Sequence, residues 1–279
     1  MVSFLWRAAV RAFLPVALPG ALLAFAPAAQ AIVFAVNEGV TYRVPVNEVR
    51  GRYAAIAADL SRLLKQPVSI EPVGDYASLR KGLAEKRFDL ALVHPAHVSI
   101  EAIKGSKYRL LAVTQGFQNY QAQFLIRSDS TLASLAELKG RRLGAPDEDS
   151  ITAVMVRAML RDAGLGPGDV RFEYTRYQDA VPFFVENKLT QAGASASASV
   201  IKAWTTAGGK VLAKSRPVPI KHIIASPTLS AEDADTLRDY FIALGSTDDG
   251  RKKLEPTRYT GFVAYDTAAM LALGTWLGL

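Results

Sequence analysis

Short apolar runs alternate with amphipathic segments along the first half of the chain. The runs 32–37, 67–73 and 88–93 have the length and composition of buried strands. Between them, the segments 53–64 and 76–86 place apolar residues at helical spacing and charged residues on the remaining faces. This alternation predicts an α/β fold with a parallel sheet whose strands are joined by right-handed helical crossovers.

The second half of the chain repeats this plan. Its elements are predicted strands at 142–145, 170–174 and 191–194 and predicted helices at 132–138, 151–163, 178–187 and 200–206. A strand at 217–225 leads out of this unit towards closing helices at 231–244 and 248–254.

No low-complexity tract or long linker separates the two halves, so two lobes with a cleft between them are expected. We predict that 32–121 together with 222–279 form one lobe. The residues 122–221 are predicted to form the other lobe.

The chain begins with the three parts of a secretory signal peptide, and residues 1–31 are predicted to be removed. Arg7 and Arg11 come first, an apolar stretch 12–25 follows, and the sequence Ala-Gln-Ala ends at Ala31. A retained membrane anchor is the alternative, but prolines and a glycine interrupt the apolar stretch, which is shorter than the roughly 20 residues that cross a bilayer. We therefore predict a protein that is free in the periplasm and not embedded in the membrane.

Composition narrows the classes of function. The formal net charge of +7 falls to +5 without Arg7 and Arg11, and basic residues are scattered among acidic ones, so no nucleic-acid partner is expected. The chain has no cysteine, which excludes disulfides, thiolate nucleophiles and cysteine-ligated zinc. No nucleophile elbow, phosphate-binding Gly-rich loop or His-Glu-x-x-His helix is present, so neither an enzyme nor a bound cofactor is predicted.

The segment Ser150-Ile151-Thr152 opens a predicted helix directly after a predicted strand. Hydroxyl groups, free backbone N–H groups and the helix dipole meet there, so an anion would fit. The alternative is that Ser150 or Thr152 only caps the helix, as serine and threonine commonly do. The acidic turn 147–149 just before it is more often solvated than catalytic.

Three histidines raise the question of a metal site. His94 and His97 follow a predicted strand, three residues apart, and His222 is a third ligand in this hypothesis. Hydrogen-bonding roles are commoner without a supporting carboxylate pattern, so no metal site is predicted. The sequence leaves open whether the three side chains converge.

Two tyrosines stand at junctions between a predicted strand and a predicted helix. Tyr76 follows the strand 67–73, and Tyr177 follows the strand 170–174. Tyrosine is amphipathic, so ligand contact and a place at the edge of the core are both open.

Five segments follow one another in a specific order: 72–77 (PVGDYA), 88–96 (FDLALVHPA), 135–142 (LAELKGRR), 150–152 (SIT) and 214–219 (KSRPVP). This order resembles the phosphonate, phosphate and phosphite family of ABC-importer substrate-binding proteins, over nearly the whole chain after the signal peptide. The resemblance implies the two-lobed type II periplasmic-binding-protein fold, each lobe a mostly parallel sheet flanked by helices, with a hinge that closes on the ligand.

The resemblance also implies ligand contacts. Tyr76 matches a ligand-binding tyrosine, and the segment 150–152 matches a Ser-Thr-Ser signature in which Ile151 leaves only its backbone N–H. Tyr177 stands where the family often has a histidine, and His94 stands in place of a glycine. Lys221 falls where members that bind aminoalkyl phosphonates carry an acid, so an ammonium there would be repelled and an anionic oxygen favoured.

We predict a periplasmic solute-binding protein that captures a small oxyanion, of the phosphate, phosphite or simple phosphonate type, for an ABC importer. Its predicted ligand-binding residues are Tyr76, His94, Ser150, Ile151, Thr152, Tyr177 and Lys221. Its expected partners are the small anion and an ABC permease, and the protein is expected to be a monomer. The alternative keeps the fold but makes it a sensing subunit for a membrane sensor kinase, or a receptor for an organic or metal ligand.

Export gives the first testable prediction. N-terminal sequencing of protein recovered from the periplasm is expected to start at Ile32, because small residues occupy both positions that determine cleavage. Recovery of a chain with an intact Met1 would contradict export with cleavage.

Overall fold

A computed structural model of the protein describes residues 31–39 and 44–279. The predicted signal peptide lies outside the described residues, except for Ala31. In the described part of the chain, no helix has the length and hydrophobicity needed to span a membrane.

The described residues form strands and helices in alternation. The strands are β1 (Ile32–Val36), β2 (Val68–Pro72), β3 (Leu90–Val93), β4 (Arg109–Thr114), β5 (Gln123–Ile126), β6 (Arg142–Pro146), β7 (Arg171–Thr175), β8 (Ala192–Ser195), β9 (Lys210–Lys214), β10 (His222–Ala225) and β11 (Phe262–Val263). The α-helices are α1 (Val46–Leu64), α2 (Tyr76–Ala84), α3 (Ala96–Gly105), α4 (Ile151–Asp162), α5 (Val181–Glu186), α6 (Ala198–Thr206), α7 (Ala231–Leu244), α8 (Asp248–Leu254) and α9 (Thr267–Leu277).

These strands assemble into two separate sheets. The first has the order β11-β4-β10-β3-β1-β2, and the second has the order β7-β6-β8-β5-β9. The chain passes from the first sheet to the second between β4 and β5, and it returns between β9 and β10. The two-lobed α/β fold predicted from the sequence is therefore confirmed, and the predicted lobe limits at 121/122 and 221/222 lie just before β5 and β10.

The pairing within each sheet is mixed, which corrects the expectation of mostly parallel sheets. β1 runs parallel to β2 and β3, and β6 runs parallel to β7 and β8. However, β10 is antiparallel to β3 and β4, and β5 is antiparallel to β8 and β9. The reason is connectivity: β5 and β10 are the strands that arrive from the other lobe, and each is inserted in the opposite direction into a sheet built from βαβ units.

Side-chain caps fix where several helices begin. Asp75 accepts a hydrogen bond from the N–H of Ser78 at the start of α2, at 2.7 Å. Ser150 does the same for Ala153 in α4 at 3.1 Å, and Ser197 caps α6. Each such cap contributes about 1 kcal/mol to helix stability. Two of these capped helices, α4 and α6, start on the side of the molecule where the lobes face each other.

Aromatic and aliphatic side chains fill the core under α1 and α7. Phe34 of β1 is fully buried and meets Tyr53 of α1 edge to face, with ring centroids 6.1 Å apart. Ile56 and Leu60 of α1 have no exposed surface, and burying each contributes about 1.5–3 kcal/mol. This packing holds α1 against the first sheet, and α1 in turn positions Glu38, just after β1, through hydrogen bonds from Arg52 and Tyr53.

A close approach between α2 and Phe88 generates a second prediction. A Cβ atom added at Gly82 would lie 2.3 Å from the buried Phe88 ring, whereas one added at Gly51 in α1 would meet nothing within 4 Å. We expect Gly82→Ala to lower the free energy of unfolding by about 1–3 kcal/mol through overpacking. The matched control Gly51→Ala is expected to raise it by about 0.5–1 kcal/mol through helix propensity. Urea denaturation measures both, and equal effects of the two substitutions would contradict the packing described.

Candidate functional site

The two chain crossings lie side by side between the lobes. Tyr120 and Val218 form an antiparallel bridge, in which the Val218 N–H donates to the Tyr120 carbonyl at 2.9 Å. The Ile220 N–H donates to the Phe117 carbonyl at 3.2 Å, and the Thr114 N–H donates to the Lys221 carbonyl at 3.0 Å. The crossings therefore form a short two-stranded connection that fixes the side chains of both segments relative to each other.

A cavity of about 320 Å³ opens in the cleft above this connection. Its lining comes from three places: the first lobe (Glu38, Gly39, His94), the crossings (Phe117, Tyr120, Ile220, Lys221) and the second lobe (Gln178, Asp179, Ser197, Ser199, Val200). Its volume is at the lower end of the range for small-molecule sites.

Lys221 brings a positive charge to this cavity. Its ammonium lies 4.2 Å from the ring centroid of Phe117 and 4.8 Å from that of Tyr259, and it donates a hydrogen bond to the Tyr259 hydroxyl at 3.2 Å. Among the described residues, no carboxylate forms a salt bridge with it. Burial lowers the pKa of Lys221 to about 8, while the charge of Glu38 acts in the opposite direction. Lys221 is therefore mostly protonated at neutral pH, held by aromatic faces rather than by an acid.

Glu38 is the acid whose charge acts on Lys221, but its carboxylate is bonded to other residues. Its carboxylate accepts a hydrogen bond from the Arg52 guanidinium at 2.7 Å and another from the Tyr53 hydroxyl at 2.8 Å. The Glu38 and Arg52 side chains are only 12% and 13% exposed, so this pair is well shielded. Arg52 also pairs with Glu48, so its charge is shared between two acids, while both carboxylate oxygens of Glu38 accept hydrogen bonds within the first lobe.

His94 lines the cavity as a neutral side chain. Its Nδ1 lies 3.1 Å from the carbonyl oxygen of Ile220 in the return crossing. Burial, followed by the positive charge of Lys221, lowers the pKa of His94 to about 3. The ring therefore offers hydrogen bonding rather than charge at neutral pH.

Tyr120 is a residue of the cavity lining that was not predicted from the sequence. Its hydroxyl lies 2.9 Å from the Thr152 hydroxyl and accepts a hydrogen bond from the Gln178 amide at 2.9 Å. Gln178 is itself fixed, because its carbonyl oxygen accepts from the Ser195 hydroxyl and from the Ala196 N–H. The available signal was an aromatic pair, Phe117 and Tyr120, in a polar segment between two apolar runs.

The segment Ser150-Ile151-Thr152 contributes less directly than its sequence suggested. Ser150 caps α4, which is the structural alternative considered above. Ile151 is 3% exposed and belongs to the core, and Thr152 is 1% exposed. Only Thr152 is linked to the cavity, through its bond with Tyr120.

An ionic bridge joins the lobes beside this segment. Arg80 of α2 donates two hydrogen bonds to the Asp149 carboxylate, at 2.6 and 2.9 Å, and a third to Glu101 at 2.8 Å. His97 Nε2 also lies 3.2 Å from Asp149. Partial burial acts to raise the pKa of Asp149, but the bonds from His97 and Arg80 outweigh it and hold that pKa well below its usual range. The acidic turn is therefore structural and links α4 to the first lobe.

The remaining predicted site residues lie away from the cavity. Tyr76 packs edge to face against His97, with centroids 6.2 Å apart. Tyr177 is 39% exposed and stacks beneath the Arg176 guanidinium, while its neighbour Gln178 faces the cavity. Of the predicted set, the structure brings His94 and Lys221 together in the cavity lining.

The three histidines have separate partners. His222 is fully buried between the Ser99 hydroxyl and the Pro219 carbonyl, and burial lowers its pKa to about 4. His94 bonds to Ile220, and His97 bonds to Asp149. Within residues 31–39 and 44–279, no group of three histidine or acidic side chains could hold a metal ion.

A second cavity, of about 290 Å³, lies within the first lobe. It is bordered by the ends of β1 and β2 and by the start of α1, including Val36, Val49 and Pro72. The described residues around it include two acids, Glu38 and Asp75, and no lysine or arginine. Its described lining therefore offers an anion no cation, whereas the cavity between the lobes offers Lys221.

Two α/β lobes that are joined by paired crossings and face a polar cleft define a periplasmic-type solute-binding protein. The chain belongs to the family described as ABC transporter, phosphonate, periplasmic substrate-binding protein, whose model matches residues 39–270. The family predicted from the sequence is thus confirmed. Its members are periplasmic substrate-binding components of transport systems rather than enzymes.

Solved structures show the same fold at low sequence identity. A Xanthomonas citri protein with bound ATP is 15% identical, with a TM-score of 0.72 over 89% of this chain and 97% of that one. PhnD1 from Prochlorococcus marinus in complex with methylphosphonate is 14% identical, with a TM-score of 0.63 over 88% and 96%. A binding-protein component of an ABC phosphonate transporter from Pseudomonas aeruginosa is 20% identical, with a TM-score of 0.60 over 89% and 85%. No significant match was found among curated protein sequences.

The bridge between Arg80 and Asp149 generates a third prediction. We expect Arg80→Met to shift the ligand-free protein towards open forms, because it removes a bidentate ion pair between the lobes. Such a pair contributes about 1 kcal/mol, which changes the ratio of closed to open forms about fivefold. Small-angle X-ray scattering would record this as a larger radius of gyration.

The matched control is Glu101→Gln, which removes the charge of the acid that Arg80 contacts within its own lobe and leaves the pair with Asp149 intact. It is expected to leave the scattering curve unchanged. An identical curve for Arg80→Met and wild type would show that the bridge does not hold the lobes together.

Proposed function

We propose that this protein captures a small oxyanion in the cavity between its lobes and delivers it to an ABC permease. The observation that carries the proposal is Lys221, a half-buried cation that faces the cavity without a carboxylate partner among the described residues. A charge in that position is stabilised when an anion binds beside it. The two relatives named above with a bound ligand hold ATP and methylphosphonate, both of which carry phosphorus oxyanions.

The neighbours of Lys221 supply hydrogen-bonding groups of fixed geometry. We assign the Tyr120 hydroxyl as a donor to the oxyanion, because Thr152 and Gln178 hold it in place. Because neutral His94 donates its Nδ1–H to the Ile220 carbonyl, its Nε2 is an acceptor, and it is assigned to a protonated oxygen of the ligand. Thr152 then acts by positioning Tyr120, whereas the sequence had placed its hydroxyl directly on the anion.

Loss of the Lys221 charge tests this proposal. We expect Lys221→Met to weaken binding of methylphosphonate by about ten- to a hundredfold, because a hydrogen bond to a charged group is worth about 1.5–3 kcal/mol. Methionine keeps an apolar stem beside Phe117. Isothermal titration calorimetry with methylphosphonate, phosphate and phosphite gives the affinities.

The matched control is Lys214→Met, because Lys214 ends β9, is exposed and lies outside the cavity lining. Its affinity should equal that of wild type. A wild-type protein that ignores all three oxyanions but binds a neutral solute would refute the proposed function.

The pKa of Lys221 adds a dependence on pH. Lysine is charged below its pKa, so its contribution to binding is present at pH 7 and is lost as the pH rises through about 8. We expect the ratio of wild-type to Lys221→Met affinity for methylphosphonate to shrink between pH 7 and pH 9. Taking the ratio cancels the titration of the ligand itself. A ratio that stays constant over this range would exclude Lys221 as the charge that meets the anion.

A further inference from the structure

The cavity between the lobes is larger than an inorganic oxyanion. Liquid water occupies roughly 30 Å³ per molecule, so a volume of about 320 Å³ has room for roughly ten non-hydrogen atoms. Phosphate, phosphite and methylphosphonate have only four or five such atoms. About half of the space therefore remains when the oxyanion lies beside Lys221.

The start of α6, in the second lobe, contributes only uncharged side chains to the cavity lining. Ser197 and Ser199 place their hydroxyl oxygens 3.0 Å apart, and Val200 lies next to them. Ser197 already accepts a hydrogen bond from the Val200 N–H, whereas Ser199 is exposed. Hydroxyl groups of this kind suit a substituent that both donates and accepts hydrogen bonds.

The described lining offers no buried and unengaged carboxylate to an ammonium group on that substituent. Both carboxylate oxygens of Glu38 already accept hydrogen bonds, one from Arg52 and one from Tyr53. Asp179 is the remaining acid in the described lining, and it is exposed to solvent, where charge pairs contribute little.

We infer that the ligand is an organic oxyanion with an uncharged, hydroxylated substituent of about four or five non-hydrogen atoms. This inference rests on the proposed function, because it places the charged group beside Lys221. It deepens that function by naming the ligand class, with Ser199 and Lys221 as the residues that determine specificity. The oxyanion end is recognised by charge, and the other end by size and hydrogen bonding.

Four ligands separate the contributions of size and charge: inorganic phosphate, methylphosphonate, 3-hydroxypropylphosphonate and 3-aminopropylphosphonate. The last two have the same number of non-hydrogen atoms, but one ends in a hydroxyl group and the other in an ammonium group. In calorimetric titrations we expect 3-hydroxypropylphosphonate to bind about tenfold more tightly than methylphosphonate and about tenfold more tightly than the amino analogue. Equal or tighter binding of phosphate, methylphosphonate or 3-aminopropylphosphonate would overturn the inference.

A cavity-filling variant checks that the longer ligand uses this space. Ser199→Phe is expected to abolish the advantage of 3-hydroxypropylphosphonate over methylphosphonate. Lys202→Phe puts the same side chain on the same helix at an exposed position outside the cavity lining, and it should preserve that advantage. Retention of the full advantage in Ser199→Phe would overturn the inference.

The outcomes distinguish this inference from the proposed function. If wild type binds none of the four ligands, the proposed function fails. If it binds methylphosphonate well but gains nothing from the longer chain, the proposed function stands and only the ligand class is wrong.

Discussion

The paired crossings between the two sheets are the constraint on which the rest of the molecule depends. The backbone bonds between Tyr120 and Val218, and between Phe117 and Ile220, tie the outgoing and returning segments to each other. As a result, Lys221 and Tyr120, which are 101 residues apart in the chain, share one cavity. A hinge built in this way lets the lobes move while the residues of the crossings keep their mutual geometry.

The electrostatics of the cleft follow from which charges are already paired. Arg52 pairs with Glu38 and Glu48, and Arg80 pairs with Glu101 and Asp149. Both guanidinium groups are therefore engaged in ion pairs within the protein. Lys221 is different, because its neighbours are the faces of Phe117 and Tyr259. Aromatic faces stabilise the ammonium without cancelling its charge, which leaves that charge available to a ligand.

Periodicity predicted most of the elements, because each depends on local spacing: the predicted helix 151–163 corresponds to α4 at Ile151–Asp162. It could not predict the antiparallel insertion of β5 and β10, since strand direction is set by where the chain crosses between lobes. The candidate site could be predicted only in part, because it too depends on which segments the fold brings together. Lys221 and His94 belong to the predicted set and line the cavity, whereas Tyr120 lines it but was missed, because its position depends on Thr152 and Gln178, which come from distant segments. The helix α9 was also missed, since its apolar residues contact both α3 and α4 and show little periodicity.

The most direct test of the account is a crystal structure of the protein grown with methylphosphonate. The account predicts tetrahedral density between the lobes, within hydrogen-bond distance of the Lys221 ammonium and the Tyr120 hydroxyl. Density in the cavity of the first lobe beside Val36 and Pro72, or a cleft that holds only water at saturating ligand, would contradict it.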